Sequence, residues 1–368
     1  MVKPRAHLRP VVRLEKVDRG TSVGLDRNER VSPLDPEHFQ EILRQLRPEM
    51  LCHYPDPAPL IEKLSQAFQL PIDHLSPSCG SDATIRRTFH AFLEPNDVVV
   101  SPTPTYGMYE VYAEIFQAKF HTLEYERDMS LDVERFLELI DDQTKLVCLA
   151  NPDQPTGSTV SISEINRIAE TARQMDAVLL VDEAYFPAHP ESAIDLVARH
   201  DNLIVSRSFS KLWGLAGIRL GCAAAQPNLI ESLNKVRGAH EVTSVAIAIG
   251  CYMLDRPELM HAFHENLNAG RAVLRATAKR LDLGFPSCPT NFQLLRLPAD
   301  VNTRDIVRRM EENGFLIKGA FKADAVSDCI RVTLDYPEVM QRFCKALETS
   351  LAKTEKCAPP SIAAEKGR

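Results

Sequence analysis

No stretch of this sequence approaches the roughly 20 apolar residues that a membrane-spanning helix needs. There is one tryptophan, and the nine cysteines are scattered with no Cys-x-x-Cys pair. An odd, dispersed set reads as reduced thiols acting as small buried hydrophobes, which excludes a disulfide framework and suits a cytoplasmic protein. No Cys or His cluster has ligand spacing, so no metal is expected. Basic residues are in deficit: 43 Lys and Arg against 50 Asp and Glu leave a net charge of -7. That balance supports neither a nucleic-acid nor a membrane partner. The start, Met1 to Arg5, is basic but lacks the apolar centre of a secretory signal. Internal repeats and low-complexity segments are also missing.

What remains is ordinary globular composition, 44% hydrophobic and 25% charged, over 368 residues, enough for two cores. Residues 1–45 read as an N-terminal arm with a helix from Pro36 to Leu46, completing part of a small domain. Residues 46–235 read as a large domain, 236–353 as a smaller C-terminal one, and the polar tail 354–368 as disordered. Between about 70 and 225, apolar runs alternate with amphipathic helices such as Ser163–Gln174. The runs are Asp97–Val100, Lys145–Ala150, Ala177–Val181 and Asn202–Val205. Continuous apolar runs are strands buried on both faces, so the expected fold is α/β with a mostly parallel central sheet. Ligands of such sheets gather beyond the carboxyl ends of the strands.

Five segments follow apolar runs or open helices. Ser206-Arg207-Ser208-Phe209-Ser210-Lys211 is followed by Arg219. Its lysine can condense with a phosphate-bearing aldehyde, while Ser208, Ser210 and Arg219 hold the phosphate. A surface lysine beside a turn reads the same on this segment alone. Asp182-Glu183-Ala184-Tyr185 ends another strand. A buried carboxylate there needs a cationic partner such as a protonated pyridine nitrogen, with Tyr185 on the ring oxygen; an N-cap aspartate is the simpler reading. Asn151-Pro152-Asp153-Gln154-Pro155-Thr156-Gly157 is either a plain tight turn or one that presents the Asn151 amide to the same oxygen. Cys79-Gly80-Ser81-Asp82 opens a helix and can bind an anion or merely cap. Tyr106, after Ser101-Pro102-Thr103-Pro104-Thr105, can stack on a pyridine ring or simply pack.

Taken in order, these segments resemble the fold-type I enzymes of pyridoxal 5′-phosphate (PLP), the aspartate aminotransferase superfamily. Within it the chain looks most like the histidinol-phosphate aminotransferase family, over roughly residues 20–350. The resemblance implies an aspartate-aminotransferase-like fold, with a large PLP-binding domain and a smaller α/β domain. It makes Lys211 the Schiff-base lysine and proton shuttle, with Asp182 on the pyridine nitrogen and Asn151 and Tyr185 on the phenolic oxygen. Tyr106 would stack on the ring, and Ser81, Asp82, Ser208, Ser210 and Arg219 would hold the phosphate. Tyr54, in His53-Tyr54-Pro55-Asp56, matches a tyrosine that reaches the phosphate from the neighbouring subunit, which implies a homodimer with shared sites. Arg331 matches the arginine for the substrate carboxylate, and Asn28, expected to contact substrate, with Glu29 matches part of an Asn-Glu-Asn-Pro motif.

The chain departs from the family on the substrate side. Arg30 and Val31 break that motif, and Val11 stands where a phosphate-binding tyrosine is expected. Lys318, thirteen residues before Arg331, stands where the family has an arginine for the substrate phosphate; it keeps the charge for a second anionic group of the substrate but loses the planar fork. Leu334-Asp335-Tyr336-Pro337 replaces a Gly-Thr turn. The expected activity is amino transfer from an amino acid, glutamate first, to a small oxo acceptor, phosphorylated or not. Histidinol phosphate is expected to be poor. The rival is decarboxylation of a phospho-amino acid, because threonine-phosphate decarboxylases resemble this family too. A non-catalytic regulator would need a DNA-binding extension, for which the arm is too short.

Overall fold

The structure is a computed structural model that describes residues 5–8, 11 and 20–352. The expected disordered tail, 354–368, lies outside these. The strands are β1 (Val23–Gly24), β2 (Leu75–Ser78), β3 (Val98–Thr103), β4 (Lys119–Glu124), β5 (Thr144–Ala150), β6 (Val178–Glu183), β7 (Leu203–Ser208), β8 (Gly221–Ala225), β9 (Phe292–Arg296), β10 (Phe315–Leu316) and β11 (Cys329–Thr333).

Seven of them form one sheet in the order β2-β8-β7-β6-β5-β3-β4. Neighbours from β7 to β4 are parallel, and β8 runs against both β7 and β2. The four apolar runs of the sequence are its centre. Successive side chains of a strand face opposite ways. Thus Val147, Leu149, Leu179, Val181, Leu203 and Val205 enter one core, and Leu146, Cys148, Leu180 and Ile204 the other. Helix Ile162–Gln174 covers the first face with Ile165, Ile168, Ala169 and Ala172. It starts where it does because Ser161 Oγ accepts from the Glu164 N–H while Glu164 accepts from the Ser161 N–H, a reciprocal cap. Helices Ser81–Phe92, Met108–Phe116 and Pro227–Lys235 cover the second face.

The C-terminal part has its own core, built on the 24-residue helix Pro257–Arg280, helix Pro337–Ala352 and the antiparallel pair β9–β11. The N-terminal segment joins it, since β1 pairs in parallel with β10. Among the described residues no helix is long and apolar enough to cross a membrane.

Candidate active site

The carboxyl ends of β5, β6 and β7 lie side by side, with Ala150, Asp182 and Ser206 in register. They open onto a cleft of about 290 Å³. Of the residues marked by sequence, Ser81, Asp82, Tyr106, Asp182, Tyr185, Ser208, Ser210, Lys211 and Arg219 line it.

One end is built for a phosphate. Gly80, at φ 80°, precedes helix Ser81–Phe92. A Cβ there would come within 2.6 Å of Arg219 Nη2, so the glycine lets the guanidinium lie over the turn. Gly221 is equally constrained, because a Cβ would meet Gly80 C and Ser81 N at 2.6 Å. Arg219 Nη1 donates to Ser210 Oγ at 3.2 Å, and Ser210 N donates to Ser208 Oγ at 3.1 Å. A helix start, a guanidinium and two hydroxyls thus converge. The Asp82 side chain does not belong to this set. Its carboxylate accepts from Tyr106 Oη at 3.3 Å and Tyr112 Oη at 2.9 Å. An ionised carboxylate only accepts, and it repels a phosphate, so Asp82 orients Tyr106 and offers an anion only its backbone N–H.

Asp182 and Glu183 separate at the end of β6 because side chains alternate. Glu183 pairs with Arg207 at 3.1 Å away from the cleft. Asp182 lines the cleft; Oδ2 accepts from Tyr109 Oη at 3.3 Å, while Oδ1 is buried without a partner. Burial pushes its carboxyl up to about 7, against the pull of the Tyr109 hydrogen bond. A cationic N–H donor reaching Oδ1 would relieve that cost.

Lys211 Nζ donates to the Arg27 carbonyl at 3.0 Å and lies 5.9 Å from the centre of the Tyr185 ring. Desolvation, then the Arg331 charge, lowers its ammonium to about 8. Tyr185 Oη accepts from Asn28 Nδ2 at 2.9 Å and lies 3.4 Å from Gln154 Oε1.

Two residues marked by sequence, Asn151 and Asn28, are not among those lining the cleft. Asn151 is buried outside the cleft wall and closes its own turn: Nδ2 donates to Val160 O at 3.0 Å, and Oδ1 accepts from Val160 N at 2.9 Å. These bonds use one of the two N–H groups of its amide, and Gln154, three residues on, lines the cleft beside Tyr185. The turn is anchored by buried Asp153, which accepts from Tyr125 Oη at 2.6 Å and Thr105 Oγ1 at 2.8 Å. Asn28 is fully buried; its amide is committed to Tyr185, so it positions that ring rather than facing substrate. The sequence signal for Gln154 was present, a second amide in the same turn.

Arg331 is buried: Nη2 donates to the Asp26 carbonyl at 2.7 Å, the guanidinium lies 5.4 Å from the Phe292 ring centre, and Nε has no partner. Lys318 bridges to it in antiparallel fashion, with Lys318 N to Arg331 O at 3.1 Å and Arg331 N to Lys318 O at 2.7 Å. Neither residue forms part of the cleft wall, and Val11 does not either. Tyr54 is 83% exposed, stacked on His240 with centroids 4.4 Å apart, and outside the cleft of its own chain.

Comparison with known proteins places this geometry first in a class. The structure superposes on a Thermus thermophilus aspartate aminotransferase mutant with a TM-score of 0.79, at 20% identity over 96% of this chain and 100% of that one. It superposes on the Sinorhizobium meliloti histidinol-phosphate aminotransferase in complex with pyridoxal-5′-phosphate with a TM-score of 0.83, at 23% identity over 96% and 95%. These likenesses give the aspartate-aminotransferase-like fold. In sequence, the chain is 31% identical to histidinol-phosphate aminotransferase 1 of Burkholderia lata over 341 residues, 91% of this chain and 94% of that protein. The family profile for aminotransferase class I and II matches residues 38–347. The chain belongs to the aminotransferase class I and II family and is a PLP-dependent transaminase. The cleft fits that cofactor: it offers an anion cradle at one end, an unpaired buried carboxylate oxygen, and a lysine of lowered basicity.

Proposed function

We propose that the enzyme moves an amino group from an amino acid, glutamate in the first instance, to a small oxo acceptor that need not be the one used by its named relatives. The observation that carries the chemical half of this reading is the buried, unpaired Asp182 Oδ1 in the same cleft as Lys211. PLP, when bound, supplies an electron sink for the charge that develops at the substrate α-carbon. Asp182 would hold the proton on the ring nitrogen, and Tyr185, braced by Asn28, would donate to the ring oxygen with Gln154 beside it. Ser81, Ser208, Ser210 and Arg219 would hold the phosphate, and Tyr106 would cover the ring. Lys211, with its pKa near 8, is suited to take the α-proton at Nζ and return it. Arg331 would take the α-carboxylate on its unpaired Nε and a terminal nitrogen.

The assignment of another acceptor rests on Lys318, Val11 and the segment 334–337, the departures on the substrate side. Holoenzyme mixed with single amino acids, without acceptor, should release one oxo acid per subunit from glutamate and no carbon dioxide. Carbon dioxide without oxo acid would make it a decarboxylase. Turnover of histidinol phosphate equal to that of the best substrate would give it the relatives' activity.

The site would be shared in a homodimer. The support is Tyr54, exposed on its own chain beside Leu51, which is 78% exposed. Mixing inactive Tyr54→Phe and Lys211→Ala dimers should restore activity through one intact site; no recovery after proven subunit exchange would remove Tyr54 from that role.

A further inference from the structure

The segment Asp26–Asn28 runs along the cleft and touches three of its working groups in succession. The Asp26 carbonyl holds Arg331 Nη2 at 2.7 Å, the Arg27 carbonyl holds Lys211 Nζ at 3.0 Å, and Asn28 Nδ2 holds Tyr185 Oη at 2.9 Å. Arg27 forms part of the cleft wall, and its side chain is 46% exposed. Among the described residues its one ion pair is to Asp26, through Nε at 3.6 Å, and its terminal nitrogens make no hydrogen bond to the protein. The other cations of the wall have tasks. Arg219 joins the phosphate cradle through Ser210, and Lys211 is the amine. Lys318, the residue that sequence offered for a second anion, is not in the wall. A part-exposed guanidinium of a cleft-lining residue, its terminal nitrogens unbonded among the described residues, is matched to an oxyanion.

We propose that Arg27 determines specificity by taking a second, distal acid group of the substrate, so that the enzyme works on amino and oxo compounds with two anionic ends. This rests on the amino-transfer reading, in which donor and acceptor occupy one cleft in turn and the same fork serves both. Carboxylate and phosphate present the same oxygen geometry to Arg27, and the assay separates them.

Calorimetry on the holoenzyme compares unreactive ligands of matched chain length: pentanoate with one acid, glutarate with two carboxylates, and 4-phosphonobutanoate with a carboxylate and a phosphonate. Wild-type protein is expected to prefer the doubly charged ligands to pentanoate. Arg27→Gln should cut that preference roughly tenfold, the scale of a charge-assisted bond at a part-exposed site, and Arg27→Lys should restore part of it. The stronger of glutarate and phosphonobutanoate identifies the natural acid. The proposal is overturned if wild-type protein shows no preference, if Arg27→Gln keeps it, or if Lys318→Ala removes it while Arg27→Gln does not. Amino transfer is assayed separately on the same preparation. An Arg27-dependent preference without amino transfer leaves this inference standing and removes the functional reading; amino transfer without the preference does the reverse.

Discussion

The wall formed by β5, β6 and β7 draws its polar groups from residues that directly follow apolar strands, and those strands are buried on both faces. The segment that brings Arg27 and Glu29 to the cleft is tied, by residues outside the cleft lining, across the length of the chain. Arg331 meets Asp26 at a separation of 305 residues, and Arg30 Nη2 meets Tyr336 Oη at 306, 3.0 Å apart. Asp335, fully buried, accepts from the backbone N–H groups of Val31 at 3.1 Å and Ser32 at 2.9 Å, and from the Ser32 hydroxyl. The first wall is preorganised by a sheet. The second is a strap whose position depends on a few polar latches. On the proposed function, chemistry would fall to the sheet-built part and substrate choice to the strap.

The contrast predicts different failures on the two sides. Asp182→Asn, on the rigid side, should cut turnover by about two powers of ten, the scale of losing a preorganised charge. It should also leave the apoprotein no less stable at pH 8, because an unpaired buried charge is removed. Steady-state rates and thermal unfolding of the apoprotein check both halves; normal turnover would mean Asp182 has no cationic partner.

Asp335→Ala, on the strap side, leaves donors of residues 31, 32 and 336 without their acceptor. It should cost about 2–4 kcal/mol of stability and act mainly on KM, by roughly tenfold, the scale of one misplaced contact. Denaturant titration and initial rates provide the readout. An effect confined to kcat would place the latch in the chemistry and erase the distinction between the walls.

The smallest effect crosses from one wall to the other. Acylation of Lys211 in the apoprotein needs the neutral amine, whose share rises with pH through about 8, instead of about 10.4 for an ordinary lysine. The labelling rate should therefore climb from pH 7 and level off above the midpoint. Arg331→Leu removes a positive charge that disfavours the ammonium, so the midpoint should rise. Peptide-resolved labelling over pH 6–11 would show it; an ordinary midpoint in both proteins would uncouple the walls.

The first wall was legible because β3, β5, β6 and β7 are continuous apolar runs with their polar groups just beyond. Lys211, Asp182, Tyr185 and Arg219 follow from that rule. Three strands of the same sheet were not legible. Gly-Cys-Ala-Ala-Ala of β8 has neither bulk nor β-branching, Leu-Ser-Pro-Ser of β2 is largely polar, and β4 is a mostly exposed edge. In the turn after β5, sequence marked Asn151 and not Gln154, because nothing local shows which residue of the turn lines the cleft. The substrate wall escaped for another reason. Arg30 and Asp335 each stood out as a departure, but nothing local reveals that the two segments touch. Arg27 gave no signal at all, since its meaning comes from the cleft it faces.

The central claim is that this cleft holds PLP on Lys211. Borohydride reduction of the purified protein, followed by digestion and mass spectrometry, tests it most directly. The account predicts a pyridoxyl phosphate adduct on the peptide that contains Ser208-Phe209-Ser210-Lys211. An adduct on another lysine, or none in protein purified and reduced with added cofactor, would contradict it.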